Sequence, residues 1–316
     1  MTKKGLPPKT LFFNFASAIV SIPIALFEFP TQIFEKMNKS LLVFSLFSLI
    51  SILAQAATPD MSIYEAINKA GYQRMLTQRI AKCYISVVTG LDVERQKTHL
   101  LGSAKTFENN LNELKNFAPT DEIKDQFRYV EILWRNYKFI YTNEFTTENA
   151  NVVLQFNNKI LKACQEAVEG LEQYALENSE YAGQEVLADD EELVHVINIA
   201  GRQRMLTQRI VLYAVAKNYN IGSADENLQH YTEAMSTFTD SYKKLMACSK
   251  NTAQIDEEYS AISEHWNTLE TDLEAIAAAS GLSIQLKEQL LSSLNKMDSM
   301  LFRFDEIVFL YERQKG

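Results

Sequence analysis

A chain of 316 residues with 47% hydrophobic and 22% charged side chains has room for two domains of ordinary size, each burying its own core. Beyond residue 57 it carries 26 Lys and Arg against 38 Asp and Glu, a net charge of -12 that argues against nucleic acid as a partner. The three cysteines, Cys83, Cys164 and Cys248, form no C-x-x-C or haem-attachment pattern, so buried thiols are the simplest reading of them.

The chain opens with a targeting signal. Residues 37–56 join a basic Lys39 to an apolar run from Leu41 to Leu53 and a small-residue Ala54-Gln55-Ala56 site, the anatomy of a secretory signal peptide. That run is shorter than the ~20 residues a membrane-spanning helix needs, which favours cleavage and a periplasmic location. Residues 1–36 then read as an untranslated extension if synthesis starts at Met37. The alternative is that residues 11–53 form membrane-associated segments that anchor the protein facing the periplasm.

After the signal, one string occurs twice. Ile67-Asn68-Lys69-Ala70-Gly71-Tyr72-Gln73-Arg74-Met75-Leu76-Thr77-Gln78-Arg79-Ile80 returns as residues 197–210 with changes only at Lys69/Ile199 and Tyr72/Arg202. Weaker matches follow it: His99 with His230, Thr106-Phe107 with Thr237-Phe238, Trp134 with Trp266, and Asn158-Lys159 with Asn295-Lys296.

Helical stretches are predicted over 61–90, 94–117, 121–144 and 147–180 in the first unit, then 189–219, 224–249, 253–279 and 283–313 in the second. Gly90, Pro119, Gly222 and Gly281 mark stops, and Asp121, Thr147 and Ser283 are candidate N-caps. No segment alternates at period two for long enough to be a strand. The expected fold is all-α: two tandem up-down-up-down four-helix bundles, spanning 61–180 and 189–313. The acidic stretch between them lacks proline, so it can either carry one helix into the next or serve as a flexible linker.

On a helical wheel the motif places Ile67, Ala70, Gly71, Arg74, Gln78 and Ala81 on one face, and Ile197, Ala200, Gly201, Arg204, Gln208 and Val211 on its counterpart. Small residues there admit a second backbone, although Gly costs about 1 kcal/mol against Ala in a helix interior. An arginine in so tight a place needs a carboxylate or a small anion, since an unpaired buried charge costs several kcal/mol. The planar guanidinium suits a planar oxyanion, and two such arginines facing each other, from a homodimer or from the two repeats, would form a cationic cleft. Arg79 and Arg209 lie 140° round the helix and are expected to pair with acidic side chains of a neighbouring helix. Arg202 in place of Tyr72 makes the second unit the expected better anion site.

The string N-x-A-G-x-Q-R-M-L-T-Q-R-I resembles the signature of the PilJ/NarX-type sensor domain, found in type IV pilus methyl-accepting transducers and in nitrate/nitrite sensor kinases. The resemblance implies a periplasmic four-helix bundle with the motif on its first helix. In the nitrate-sensing branch it further implies that the arginine matching Arg74 and Arg204 contacts the anion at a dimer interface. Gln73/Gln203 and Leu76/Leu206 lie nearer the pilus-transducer branch.

His99, His195, His230 and His265 show no metal spacing, and no nucleophile elbow, P-loop or dinucleotide fingerprint occurs, so neither catalysis nor a cofactor is indicated. Trp134 and Trp266 are expected to anchor the two cores. The reading is a sensory or binding protein for a small solute or anion, with Arg74, Arg204, Gly71, Gly201, Gln78, Gln208 and Arg202 at the site. It would relay to a membrane-bound signalling partner. The rival is a structural or interaction module that uses the motif face for dimerisation or docking.

Overall fold

With Pro119 the sole proline beyond Pro59, little interrupts helix formation, and the computed structural model, which describes residues 61–178 and 188–315, is helical almost throughout. The first unit comprises α1 (Ile63–Val88), α2 (Val93–Phe117), α3 (Asp121–Tyr141) and α4 (Thr147–Glu177). The second comprises α5 (Ala188–Asn218), α6 (Ala224–Met246), α7 (Ala253–Ala278) and α8 (Ile284–Glu312), closed by a 3-10 turn at Arg313–Lys315. Among the described residues there is no strand. The signal-peptide reading of residues 37–56 and the extension before it lie outside the described residues.

The helix starts are set by side-chain caps. Ser62, Thr120, Thr146, Ser223, Thr252 and Ser283 each hold extended backbone and accept a hydrogen bond from the amide three residues on. Ser283 caps as expected, but Thr120 and Thr146 take the roles assigned to Asp121 and Thr147. In each case the earlier hydroxyl reaches the free amide, which leaves Asp121 as a first-turn acid facing the positive end of the helix dipole. Gly90, Gly222 and Gly281 end segments with φ of 75°, 76° and 99°, a left-handed conformation that glycine enters without strain. Helix α4 stops at Glu177, where the Asn178 backbone leaves helical geometry and its N–H returns to the Tyr174 carbonyl.

Within each unit the first helix packs on the second and fourth, and the third closes the bundle against the fourth. Trp134 stacks on Phe107 with ring centroids 4.1 Å apart, and Trp266 meets Phe238 at 4.4 Å. Both tryptophans are buried, each at an equivalent place in its own bundle. The three cysteines are free thiols, Cys83 and Cys164 buried and Cys248 partly so.

The bundles are not separate cores. Residues 59–316 form one compact unit, and the apolar interior runs from one repeat into the other through α1 and α5, which pack along each other. These helices run in the same direction: Gly71 and Gly201 lie on facing backbones, and about two turns on Gln78 meets Arg209. The two halves are related by a pseudo-two-fold axis between the motif helices.

Candidate functional site

The small-residue face brings α1 and α5 together, and the two motif arginines lie where they touch. A Cβ on Gly71 would sit 3.1 Å from Arg74 Nη2 and 3.8 Å from Arg204 Nη2, and one on Gly201 would sit 3.1 Å from Arg204 Nη2 and 3.7 Å from Arg74 Nη2. Absence of a side chain at these two positions is therefore what makes room for the paired guanidinium groups.

Each arginine is held by side chains from two other helices. Arg74 donates from Nη1 to Gln165 of α4 at 2.6 Å, and from Nη2 across the interface to Asn198 Oδ1 at 2.9 Å. Arg204 mirrors it, with Nη1 on Asp305 of α8 at 3.1 Å and Nη2 on Asn68 Oδ1 at 2.7 Å. The asparagines pass the interaction outward, Asn68 to Glu312 at 2.8 Å and Asn198 to Glu172 at 2.5 Å. Both arginines are buried, at 0% and 3% exposure, and the Nε of each has no partner.

The halves differ in charge. Arg204 has a carboxylate, whereas Arg74 meets a glutamine at the matching place. Burial, followed by the charges of Arg202 and Arg204, pushes Arg74 down to about 9. Burial also raises Asp305 above the usual carboxylate range in spite of Arg204 beside it. Tyr72, the counterpart of Arg202, lies under the Arg204 guanidinium with 5.1 Å to its ring centroid. Arg202 thus acts across the junction on Arg74, and Asp305 lies within ion-pair distance of Arg204.

Gln78 exchanges hydrogen bonds with Asn157 at 3.2 and 3.1 Å and also accepts from Arg209 at 3.1 Å. Gln208 has only Thr207 at 3.3 Å, and its Oε1 is unpartnered. Among the described residues Arg209 does not pair with an acid as expected. It donates to Gln78 and to Asn158 at 3.1 Å each, lies over the Tyr213 ring at 4.7 Å and meets His230 at 3.3 Å, because α4 presents an asparagine there. Nor does Arg79 have a carboxylate within ion-pair distance. It lies close enough to Asp298 and Asp305 of α8 to lower both electrostatically.

Sequence reasoning missed Asn68 and Asn198, although both stand inside the repeated string, because their role depends on the other helix. It also missed Gln165, Asp305, Glu172 and Glu312. The last helices align at Asn158/Asp298, Gln165/Asp305 and Glu172/Glu312, so the match of Asn158-Lys159 with Asn295-Lys296 is out of register by three residues.

Residues 63–151 and 186–291 match the family model described as the type IV pili methyl-accepting chemotaxis transducer N-terminal domain. The chain belongs to this PilJ family. Comparison with curated proteins and with solved structures returned no match. Membership gives this PilJ-type chain a sensory, signal-transducing role. Both matched segments contain a full copy of the arginine motif, and the internal pairing brings the two PilJ arginines together without a second chain.

Proposed function

We propose that this chain is an exported sensory protein that recognises a small anion at the Arg74–Arg204 junction and relays the bound state to a separate membrane partner. The observation that carries the reading is the junction itself: two buried guanidinium groups side by side, with one carboxylate within ion-pair distance and both Nε atoms unpartnered. A planar oxyanion supplies the acceptors and the charge that Arg74 lacks. Because both motif helices line the junction, a ligand there acts on both bundles at once, and a change in their packing is what a partner would read. No described helix is long and apolar enough to cross a membrane. The export signal of residues 37–56 is part of the proposal, and recovery of a mature chain beginning at Ala57 is the expected result of N-terminal sequencing.

The near-complete burial of both arginines favours a second reading, in which the motif is a packing lock between bundles without a small ligand. Thermal-shift titration of the full chain with nitrate, nitrite and carboxylates at constant ionic strength separates the two. Ligand at about 100 times its dissociation constant adds about 2.7 kcal/mol of stability. The anion reading expects a rise in Tm of a few degrees that Arg204→Gln removes. A flat response in the wild type, with Arg204→Gln still folded, leaves the packing lock.

A further inference from the structure

The pseudo-two-fold axis gives every position a counterpart in the other half, and at one place the two halves differ sharply. On the flank where α4 meets α5 and α6, Asn158 accepts from Arg209 at 3.1 Å and from the Tyr213 hydroxyl at 2.9 Å, and His230 stands 3.3 Å away. The phenol ring lies against both Arg209 and the His230 ring, whose centroid is 4.7 Å off, so this flank is filled by an aromatic side chain and its polar groups partner one another. Its remaining wall includes Leu212 and Ala216.

On the opposite flank, where α8 meets α1 and α2, Asp298 replaces Asn158 and Cys83 replaces Tyr213, so the phenol that closes the second flank is missing. Lys82 and Ser86 stand where Leu212 and Ala216 do, and Arg95 and Gln96 where Glu226 and Asn227 do. Lys82 is 1% exposed and pairs with Asp298 at 2.6 Å; Arg95 approaches the other carboxylate oxygen at 3.3 Å, and His99 lies 3.7 Å from it. Burial opposes ionisation of Asp298, but Lys82, Arg79 and His99 together hold it below the usual carboxylate range. With Asp305, which Arg79 also reaches, already paired to Arg204, the cations Arg79, Lys82 and Arg95 outnumber the two remaining carboxylates, Asp298 and Asp92.

Polar groups here also lack partners. Gln96 is fully buried with neither its amide nitrogen nor its oxygen bonded; Ser86, equally buried, has a free hydroxyl; and the Arg79 Nε and His99 Nδ1 are unpartnered. Buried polar atoms are bonded in more than about nine cases in ten, so a cluster of free ones on two adjoining helices points to a bound ion or water. The counterpart flank shows that the fold itself is served by leucine, alanine and tyrosine at these positions.

We infer that this flank is a second binding site, taking a small monovalent anion among Arg79, Lys82, Ser86, Arg95, Gln96 and His99, with Asp298 as the acidic wall that sets its affinity. The site shares no residue with the Arg74–Arg204 junction. Its N–H and O–H groups supply the donors and its excess cation the charge, and one bound anion bridges α1, α2 and α8 across the two repeats.

The test is isothermal titration of the full chain with sodium nitrate and sodium chloride, with ionic strength held by the bulky gluconate ion. The variant Lys82→Leu/Cys83→Tyr/Asp298→Asn gives the first flank the side chains of the second, and it is expected to lose one binding event while keeping the wild-type helical circular dichroism. Ser86→Ala/Gln96→Asn makes the same transfer more gently and weakens that event tenfold or more. It stands as the test should the triple variant fail to fold. Arg204→Gln leaves the flank event in place. Unchanged titrations in the flank variants, no event in the wild type, or loss of every event in Arg204→Gln would overturn the second site, with ordered water then serving the free polar atoms. Retention of all binding in Arg204→Gln would count against the junction as an anion site and not against the flank.

Discussion

The two flanks of the repeat junction have the same backbone and opposite chemistry. Around Asn158 the wall is Leu212, Ala216 and Tyr213, and the one cation is satisfied by neutral acceptors and an aromatic ring. Around Asp298 the wall is Lys82, Ser86 and Cys83, and a buried ion pair carries the contact between repeats. The difference shows that the fold requires the α1–α5 contact and the bundle cores but not a particular set of polar groups beside them. The ion pair on the Asp298 flank is expected to add little net stability, since a buried pair gains little over well-packed apolar residues while half of one is costly.

The sharpest break of that comparison is Asp298→Asn alone. It leaves the Lys82 ammonium buried without its carboxylate, and a loss of about 3–5 kcal/mol in chemical denaturation is expected. Arg204→Gln comes next, at about 2 kcal/mol, because it strips Asp305 of its cation; Arg74→Gln, which leaves only neutral partners behind, should cost less than half as much. Equal losses for the two arginines would show that their charge environments do not differ as described. Gly71→Ala sets a methyl 3.1 Å from Arg74 Nη2 and is expected to cost about 1–2 kcal/mol. Alanine at Gly102, which faces open space, should not destabilise the fold. The paired change Lys82→Leu/Asp298→Asn copies the second flank and should fall within about 1 kcal/mol of wild type.

Acid adds a further handle on the same pair. Asp298 is held below its ordinary value, so its contribution is fully present above the unfolded carboxylate value of about 4 and is lost as pH falls through the folded one. Asp305 and Glu312, raised by burial, act in the opposite sense and favour the folded state as they take up protons. A pH titration of unfolding free energy should therefore show a steeper acid loss in the wild type than in Lys82→Leu/Asp298→Asn. Superimposable curves would mean that Asp298 does not carry the acid sensitivity.

Much of this architecture could be read from the chain. The eight helices among the described residues follow from hydrophobic periodicity broken at glycine, and their ends fall within about three residues of expectation. The arginine, the glycine before it and the requirement for a close neighbour follow from one helical wheel. The partners do not: Asn68 belongs to Arg204, not to its own Arg74, and Gln165, Asp305, Glu172 and Glu312 sit on helices whose sequences share no recognisable string.

The reason is one of range. Periodicity, caps and a repeated motif act within a few residues, and each stretch of sequence expresses them by itself, so the helices, the duplication and the small-residue face were determined before folding is considered. Which faces meet is a sum over the whole core. Parallel packing of α1 on α5 merges two bundles into one interior, brings two like charges together where glycine leaves space, and places α8 of one repeat against α1 of the other. Only that arrangement decides that Arg74 lacks a carboxylate, that Arg204 has one, and that Lys82 finds Asp298 more than two hundred residues away.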